Sequence, residues 1–596
     1  MDLNKFQKKT TKTKSSVQSL KIGRLYIIFT IFLFFGSILS YRLVNLCFDD
    51  RYNWKKIANS QHQTEISIQG IRGQISDRNG KVLAISNEVF DLGCHPESIQ
   101  DKNGFYNQLS DLYSNHGRTI PSDAYDKINS SKKYVNLDKS LNEDLAKEIK
   151  VKLASLVEIS PEYKRVYPHS NLALDIIGRV GTDGDGISGF ELSFNDRLKG
   201  SKTTLSSGRD AKGRLITKSD NSTIIAMINP SSSSMELDNI EESKNGESIN
   251  LSLDLRIQEI IEEEFQKGLI ESRASNVFGI IVDAHTGEVL SMSNKSNTDV
   301  TDPIALLKNK VIQDNFEPGS TLKPIIAAIA LQYGVISPSE KIDCENGKWR
   351  VKSAIINDVH PIGIANIRDI LVRSSNICMS KIGLRIGKNR LGQSLSDLGF
   401  GGKSGLELPG EAVGIFRNFK NWGDVDVATH SFGQGVAVTP LQMVRAYSAL
   451  ANGGYLNNLT LIKQDRVEIN RVTQPIKNGK KVFDKDVSKL ISEFIFGVTE
   501  DEHGTGQKGA ISGLRVSAKT GTAEKPINGK YVPDKVIASF IGYIDASNIG
   551  INRTFVMFVG VDEPKVVPRY GGVVAAPIFK RSMERVISMY LASNEN

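Results

Sequence analysis

The hydrophobic pattern begins with an uncharged apolar run from Leu25 to Tyr41. At about 17 residues it is at the short end of what crosses a bilayer. No small-residue cleavage site follows it, so the pattern predicts an uncleaved anchor over 25–44. From Glu65 to Ser86 apolar and polar positions alternate around Asp77-Arg78-Asn79-Gly80, the mark of strands about a tight turn. Charged helical stretches follow near Asn107–Tyr113 and Leu141–Leu153, then a glycine cluster, Gly178–Gly189. Small polar and acidic residues fill Asn229 to Gly246 and predict an exposed linker. Beyond it, Leu255 to Ile270 has helical periodicity, and Val277 to Ser293 reads as a hairpin turning at His285-Thr286-Gly287. Val536–Tyr543 and Thr554–Val561 read as strands, and Ile578–Leu591 as a closing helix. Strands at both ends with helices between predict an α+β domain whose antiparallel sheet joins the two ends.

Charge changes this picture in one place. The 596-residue chain carries a net charge of +8, but residues 1–24 hold seven Lys/Arg against Asp2. A local basic tail beside an apolar run argues for membrane topology, not a nucleic-acid surface: the tail stays cytoplasmic and the rest is exported. The length demands more than one core. The four cysteines, Cys47, Cys94, Cys344 and Cys378, form no C-x-x-C and no metal-spaced cluster, so neither metal nor dissociable cofactor is expected. Buried free thiols are favoured, although export permits a Cys344–Cys378 bridge.

Three short motifs carry chemistry. Pro318-Gly319-Ser320-Thr321-Leu322-Lys323-Pro324 opens an apolar helix. Ser320 and Lys323, three apart, share a face. A serine hydroxyl needs a base, and lysine serves only when its pKa is lowered. Ser374-Ser375-Asn376 follows, between helices; alone it suits a helix cap. Lys519-Thr520-Gly521-Thr522 continues an alternating strand from Leu514. A cation and hydroxyls on an extended edge suit a peptide with a terminal carboxylate, bound by strand addition. Each motif alone is weak, and Ser130-Ser131-Lys132-Lys133 repeats the S-x-x-K spacing by chance. In this order, S-x-x-K, S-x-N and K-T-G form the signature of serine β-lactamases and penicillin-binding proteins.

The chain resembles a class B penicillin-binding protein. Asn250 to Val586 is similar to its transpeptidase domain, including Ser431-Phe-Gly-Gln-Gly435, Thr439-Pro-Leu-Gln442 and Tyr570-Gly-Gly-Val-Val-Ala-Ala-Pro577. Arg72 to Gly80, Arg165-Val-Tyr-Pro168 and Gly186-Ile-Ser-Gly-Phe-Glu191 resemble the pedestal of that class. The resemblance implies five segments: tail 1–24, anchor 25–44, pedestal 45–228, linker 229–246 and transpeptidase domain 247–596. It implies that Ser320 is acylated by a D-Ala-D-Ala stem peptide and that Lys323 is its base. Ser374 would relay protons and Asn376 would hold the substrate amide. Lys519, Thr520 and Thr522 would bind the terminal carboxylate beside Gly521, and the amides of Ser320 and Thr522 would receive the oxyanion. β-Lactams would be trapped as substrate mimics. One pedestal element departs from the pattern: Ala173-Leu-Asp175-Ile-Ile-Gly178 has aspartate where histidine is usual. Ser222 to Gly246 matches no family element.

A class A β-lactamase needs an E-x-x-L-N loop, which is absent. A β-lactam sensor needs a signalling domain, for which the short tail leaves no room, and a decayed scaffold would have lost a motif residue. Ser431 to Gly435, Arg209-Asp-Ala-Lys-Gly-Arg214 and Tyr570-Gly-Gly resemble the septal type (FtsI, penicillin-binding protein 3) more than the elongation type. The septal resemblance implies an FtsW-like glycan polymerase and other divisome proteins as partners.

Overall fold

Val277 to Asp283 and Thr554 to Asp562 are apolar at nearly every position, as strands covered on both faces must be. In the computed structural model they are inner strands of a five-stranded antiparallel sheet. The structure describes residues 11–48, 63–209, 215–216, 245–297, 308–464, 479–527 and 529–594. In chain order the elements that build the site are α1 (Leu255–Ser272), β1 (Asn276–Asp283), β2 (Val289–Ser296), α2 (Lys323–Gln332), α3 (Asn376–Ile386), α4 (Pro440–Ala451), α5 (Lys485–Glu500), β3 (Ser517–Ile527), β4 (Lys530–Asp545), β5 (Thr554–Asp562) and α6 (Ala576–Asn594). The sheet order is β2-β1-β5-β4-β3, so the two ends of the domain meet as the hairpin pattern predicts.

The alternation of side chains divides the core in two. Phe278, Ile280, Val282, Val556 and Phe558 pack on one face with Ile325, Ile326 and Ile329 of α2. Val277, Ile281, Phe555, Met557 and Val559 pack on the other with Phe265 of α1 and Phe579 of α6. Helix α2 is apolar all round and buried from Lys323 to Ala330, which makes it a central helix and not a surface one. The turn it continues, Gly319–Leu322, is held by the same core, with Gly319, Thr321 and Leu322 buried.

By packing, the chain forms two units, Met1–Gln69 with Lys202–Ile240, and Gly70–Ser201 with Glu241–Asn596. In the first unit, the helix Thr11–Phe48 contains Gly23–Asn45, whose mean hydropathy of 2.0 and length suffice to cross a membrane. Gln63–Gln69 pairs with Lys202–Arg209, so it does not form the first arm of the turn at Asp77. That turn lies between Ile75–Ser76 and Val82–Cys94 in the second unit, with Gly80 at φ 83°. Ser76 is the last strand residue before the turn, and the Asp77 carboxylate accepts from the amide of Leu255 at the start of α1. The predicted linker 229–246 lies outside the described residues up to 244, as does the tail to residue 10.

Three sequence elements far apart in the chain converge in one buried ion cluster. Glu191 pairs with Arg72 at 2.6 Å and with Arg165 at 2.7 Å, and all three side chains are at most 8% exposed. Each cation also donates to backbone carbonyls, which satisfies charges that would be costly to bury bare. Asp175, the departure from the family pattern, accepts from Asn309 at 2.9 Å. Burial pushes its carboxyl up to about 7.

The cysteines depart from the expected free thiols. Cys344 and Cys378 are bonded, with their Cα atoms 5.0 Å apart, while Cys94 is free and buried. The fold brings together positions 34 residues apart, a proximity that spacing does not reveal. The bridge ties the segment preceding Asp358 to the first turn of α3. Replacing both cysteines by serine is expected to cost roughly 3 kcal/mol, the usual effect of opening such a loop. Thermal unfolding of the double variant with no loss of stability would count against the bridge.

Candidate active site

Ser320 lies in a 3-10 turn, Gly319–Leu322, that runs directly into α2. Side chains three apart eclipse in that geometry, which sets Ser320 above Lys323. Pro324 is tolerated in the first helical turn, where its missing amide has no partner to lose. Ser320 Oγ has no hydrogen-bond partner among the described residues, and it opens onto a cavity of about 320 Å³. Ser374, Asn376, Thr520, Gly521 and Thr522 line the same cavity. Lys323 and Lys519 lie beneath it, with 0% of either exposed.

Both lysines reach one hydroxyl. Lys323 Nζ donates to Ser374 O at 2.7 Å and to Asn376 Oδ1 at 2.8 Å, and it lies 3.1 Å from Ser374 Oγ. Lys519 Nζ reaches the same Ser374 Oγ at 3.0 Å. Burial and the neighbouring Lys519 charge hold Lys323 well below the usual lysine range. Burial alone brings Lys519 down to about 7. The arrangement thus sets a lysine whose pKa is depressed by burial and a neighbouring charge beside a second buried lysine, the pairing that favours the first as a base.

Ser374 is placed by strain and by an acid. Its φ of 63° is left-handed, a conformation that non-glycine residues adopt only where the surroundings impose it. Ser375, the middle residue of the motif, is the N-cap of α3 and accepts from Cys378 N. The motif is therefore both a cap and part of the site: its centre caps, and its flanks face Lys323. Asp358 fixes the cap further, accepting from Ser375 Oγ at 2.6 Å and from the amides of Asn376 and Ile377. A carboxylate suits the positive end of the helix, and its charge raises the pKa of Lys323 against the two larger effects.

Strand β3 is the sheet edge, paired with β4 through Lys519↔Ile541, Thr520↔Phe540, Gly521↔Ser539 and Thr522↔Ala538. Gly521 is required for close approach: a Cβ there would lie 2.5 Å from Ser539 Oγ and 2.9 Å from Thr321 Cγ2. Gly433 performs a similar role on the opposite side. At φ +83° it leaves no room for a Cβ, which would lie 2.1 Å from Gly319 O. Its carbonyl accepts from Gly319 N at 3.0 Å. The Ser431–Gly435 motif thus buttresses the turn that carries Ser320. Thr505 bonds Thr520 at 2.9 Å, and Gly571 N donates to Thr522 Oγ1 at 3.2 Å, which fastens the Tyr570-Gly-Gly motif to β3.

Asp358 and Thr505 were not among the sequence-derived candidates. Neither stands at a motif spacing, and only the folded chain brings Asp358 to the start of α3. A more open groove of about 590 Å³ follows the outer face of α1 past Glu259, Glu262, Glu263 and Glu271, and it holds no nucleophile. Among the described residues no group of three acidic, His or Cys side chains forms a metal site.

This geometry agrees with the comparisons. Residues 277–584 match the penicillin binding protein transpeptidase domain, and residues 67–226 match the penicillin-binding protein dimerisation domain. The probable peptidoglycan D,D-transpeptidase PenA of Neisseria meningitidis serogroup A is 32% identical over 525 residues, 87% of this chain and 84% of the relative. The peptidoglycan D,D-transpeptidase FtsI of Escherichia coli K12 is 30% identical over 526 residues, covering 87% and 83%. A peptidoglycan synthetase from Bifidobacterium adolescentis has the same fold, with a TM-score of 0.67 at 22% identity, covering 89% of this chain and 97% of that one. With a dimerisation domain followed by a transpeptidase domain, the chain belongs to the class B penicillin-binding proteins.

Proposed function

We propose that the protein is a peptidoglycan D,D-transpeptidase of septal wall synthesis and a target of β-lactams. The observation that carries the chemistry is the convergence of two fully buried lysines on Ser374 Oγ, at 3.1 and 3.0 Å, beneath the cavity that Ser320 faces. In this reading Ser320 Oγ attacks the carbonyl of the penultimate D-Ala of a stem peptide, and its proton passes to Lys323. Ser374 hands a proton to the departing D-Ala amine and takes the one held by Lys323, leaving an ester on Ser320 and Lys323 neutral again. The amine of a second stem attacks that ester, returns a proton along the same route and frees Ser320. Asn376 holds the donor amide. Lys519, Thr520 and Thr522 hold the terminal carboxylate, and the amides of Ser320 and Thr522 receive the oxyanion. A β-lactam ring opens onto Ser320 and leaves no D-Ala to depart.

The septal role follows the FtsI name of the E. coli relative. The helix Thr11–Phe48 suits a single-span anchor; with its basic end cytoplasmic, segments 45–228 and 247–596 would lie outside. An FtsW-like glycan polymerase and divisome proteins are the fitting partners.

Fluorescent penicillin should label the wild type covalently and leave folded Ser320→Ala unlabelled; labelling of that variant would remove Ser320 from its role. Lys323→Ala should lower the acylation rate by at least about 100-fold, the contribution of a positioned base. The rate should fall in acid as Lys323 gains a proton, and again on the alkaline side as Lys519, near 7 in the free protein, loses one. Lys519→Arg should move the alkaline limb upward, since a guanidinium keeps its proton. Asp358→Asn should move the acid limb downward, because the carboxylate that raises Lys323 is gone. Unmoved limbs in both variants would separate these lysines from the chemistry. A fluorescent fusion should gather at midcell, and uniform sidewall signal would favour the elongation role.

A further inference from the structure

Arg373 and Lys508 line the cavity of Ser320, and among the described residues no aspartate or glutamate does. Neither cation forms an ion pair with a described residue. Arg373 donates to Pro361 O at 3.3 Å, which sets its guanidinium beside the wall that carries His360. The acids nearest Lys508 in sequence, Asp501 and Glu502, are not among the lining residues, and Asp501 is already paired with Arg368 at 3.0 Å.

The positions of the two cations give them a direction. Arg373 immediately precedes Ser374, the hydroxyl shared by the two buried lysines. Lys508 belongs to the 3-10 turn Gln507–Gly509, just after Thr505, which bonds Thr520. Lys508 therefore stands on the side of the groups assigned to the departing D-Ala, and Arg373 next to the hydroxyl assigned to protonate it. Once D-Ala has left, the attacking amine must enter by that end, because its attack reverses the geometry of the departure. A cationic rim disfavours an incoming ammonium and favours the neutral amine that can react. It also attracts carboxylates on the strand that carries the amine.

We propose that Arg373 and Lys508 form an acceptor-side anion subsite, which selects an acceptor stem bearing side-chain carboxylates over one whose amine stands on an uncharged or cationic residue. The inference rests on the acyl-transfer reading of Ser320. The carboxylate has two possible sources, the amino-acid residue that bears the amine or a neighbouring acidic residue of the stem.

The test uses the full-length chain in detergent and a thioester donor, whose thiol release reports acylation of Ser320. Acceptor peptides are supplied with both carboxylates free, with the one beside the amine amidated, or with the neighbouring one amidated. Partition of the acyl group between water and acceptor is read by mass spectrometry. In the wild type the doubly free acceptor should capture the acyl group about fivefold better than at least one amidated form, the worth of one well-placed exposed ion pair. The form that loses this advantage identifies the source. In Arg373→Gln/Lys508→Gln the preference should fall to about one. Thiol release and penicillin labelling report the donor step, so capture is read per acyl-enzyme formed and a change in that step does not enter the preference. Equal capture in the wild type, no capture of any acceptor, or a preference undiminished in the double variant overturns the subsite. A wild type from which the donor releases no thiol, and which penicillin leaves unlabelled, would instead overturn the acylation reading on which the subsite rests.

Discussion

Two ammonium groups cannot share one hydroxyl in a dry interior without one of them giving up its charge. Lys323 and Lys519 are both fully buried and both within hydrogen-bond distance of Ser374 Oγ. The repulsion between them, added to desolvation, keeps Lys323 below its ordinary range. Every other feature of the site serves to hold that pair together. The apolar helix α2 delivers Lys323 from the core, and the edge strand β3 delivers Lys519 from the sheet. Neither element can withdraw its lysine into water without dismantling a packed face.

The third party, Ser374, sits on a short turn and is held from outside. Its left-handed backbone is imposed by the capped start of α3 on one side and by the end of the preceding helix, Ile367–Val372, on the other. Asp358 supplies the negative charge at that cap, and the Cys344–Cys378 bond ties the segment before Asp358 to the same helix. A single carboxylate thus both orients the turn and tempers the depression of the Lys323 pKa. The glycines at 433 and 521 bring a loop and a strand against the Ser320 turn from opposite sides, at distances that any side chain would prevent.

The pedestal segment in the larger unit is organised by charge in the same way. Glu191 holds Arg72 and Arg165, so three stretches distant in sequence depend on one carboxylate. Removing Glu191 would leave two buried guanidinium groups facing each other without a counter-charge, the costliest change the cluster could suffer. Where the family pattern has histidine, Asp175 keeps a polar contact to Asn309.

Much of this was legible because it is local. Periodicity marked α1, the β1–β2 hairpin, β4, β5 and α6, since side-chain alternation records which face is covered. The S-x-x-K spacing placed Ser320 and Lys323 on one face, because a single helical turn relates them. The apolar run from Leu25 marked a helix long and apolar enough to cross a membrane. Other features were decided by tertiary structure alone. Gln63–Gln69 left the turn at Asp77 to pair with a strand well over a hundred residues away. Two cysteines expected as free thiols met across the fold. Asp358 and Thr505 entered the site, and one hydroxyl became common to two lysines. Spacing along a chain reports contacts within a turn or a hairpin; it carries no record of which distant segments the burial of apolar surface will press together, and the perturbed lysines exist only where that packing excludes water.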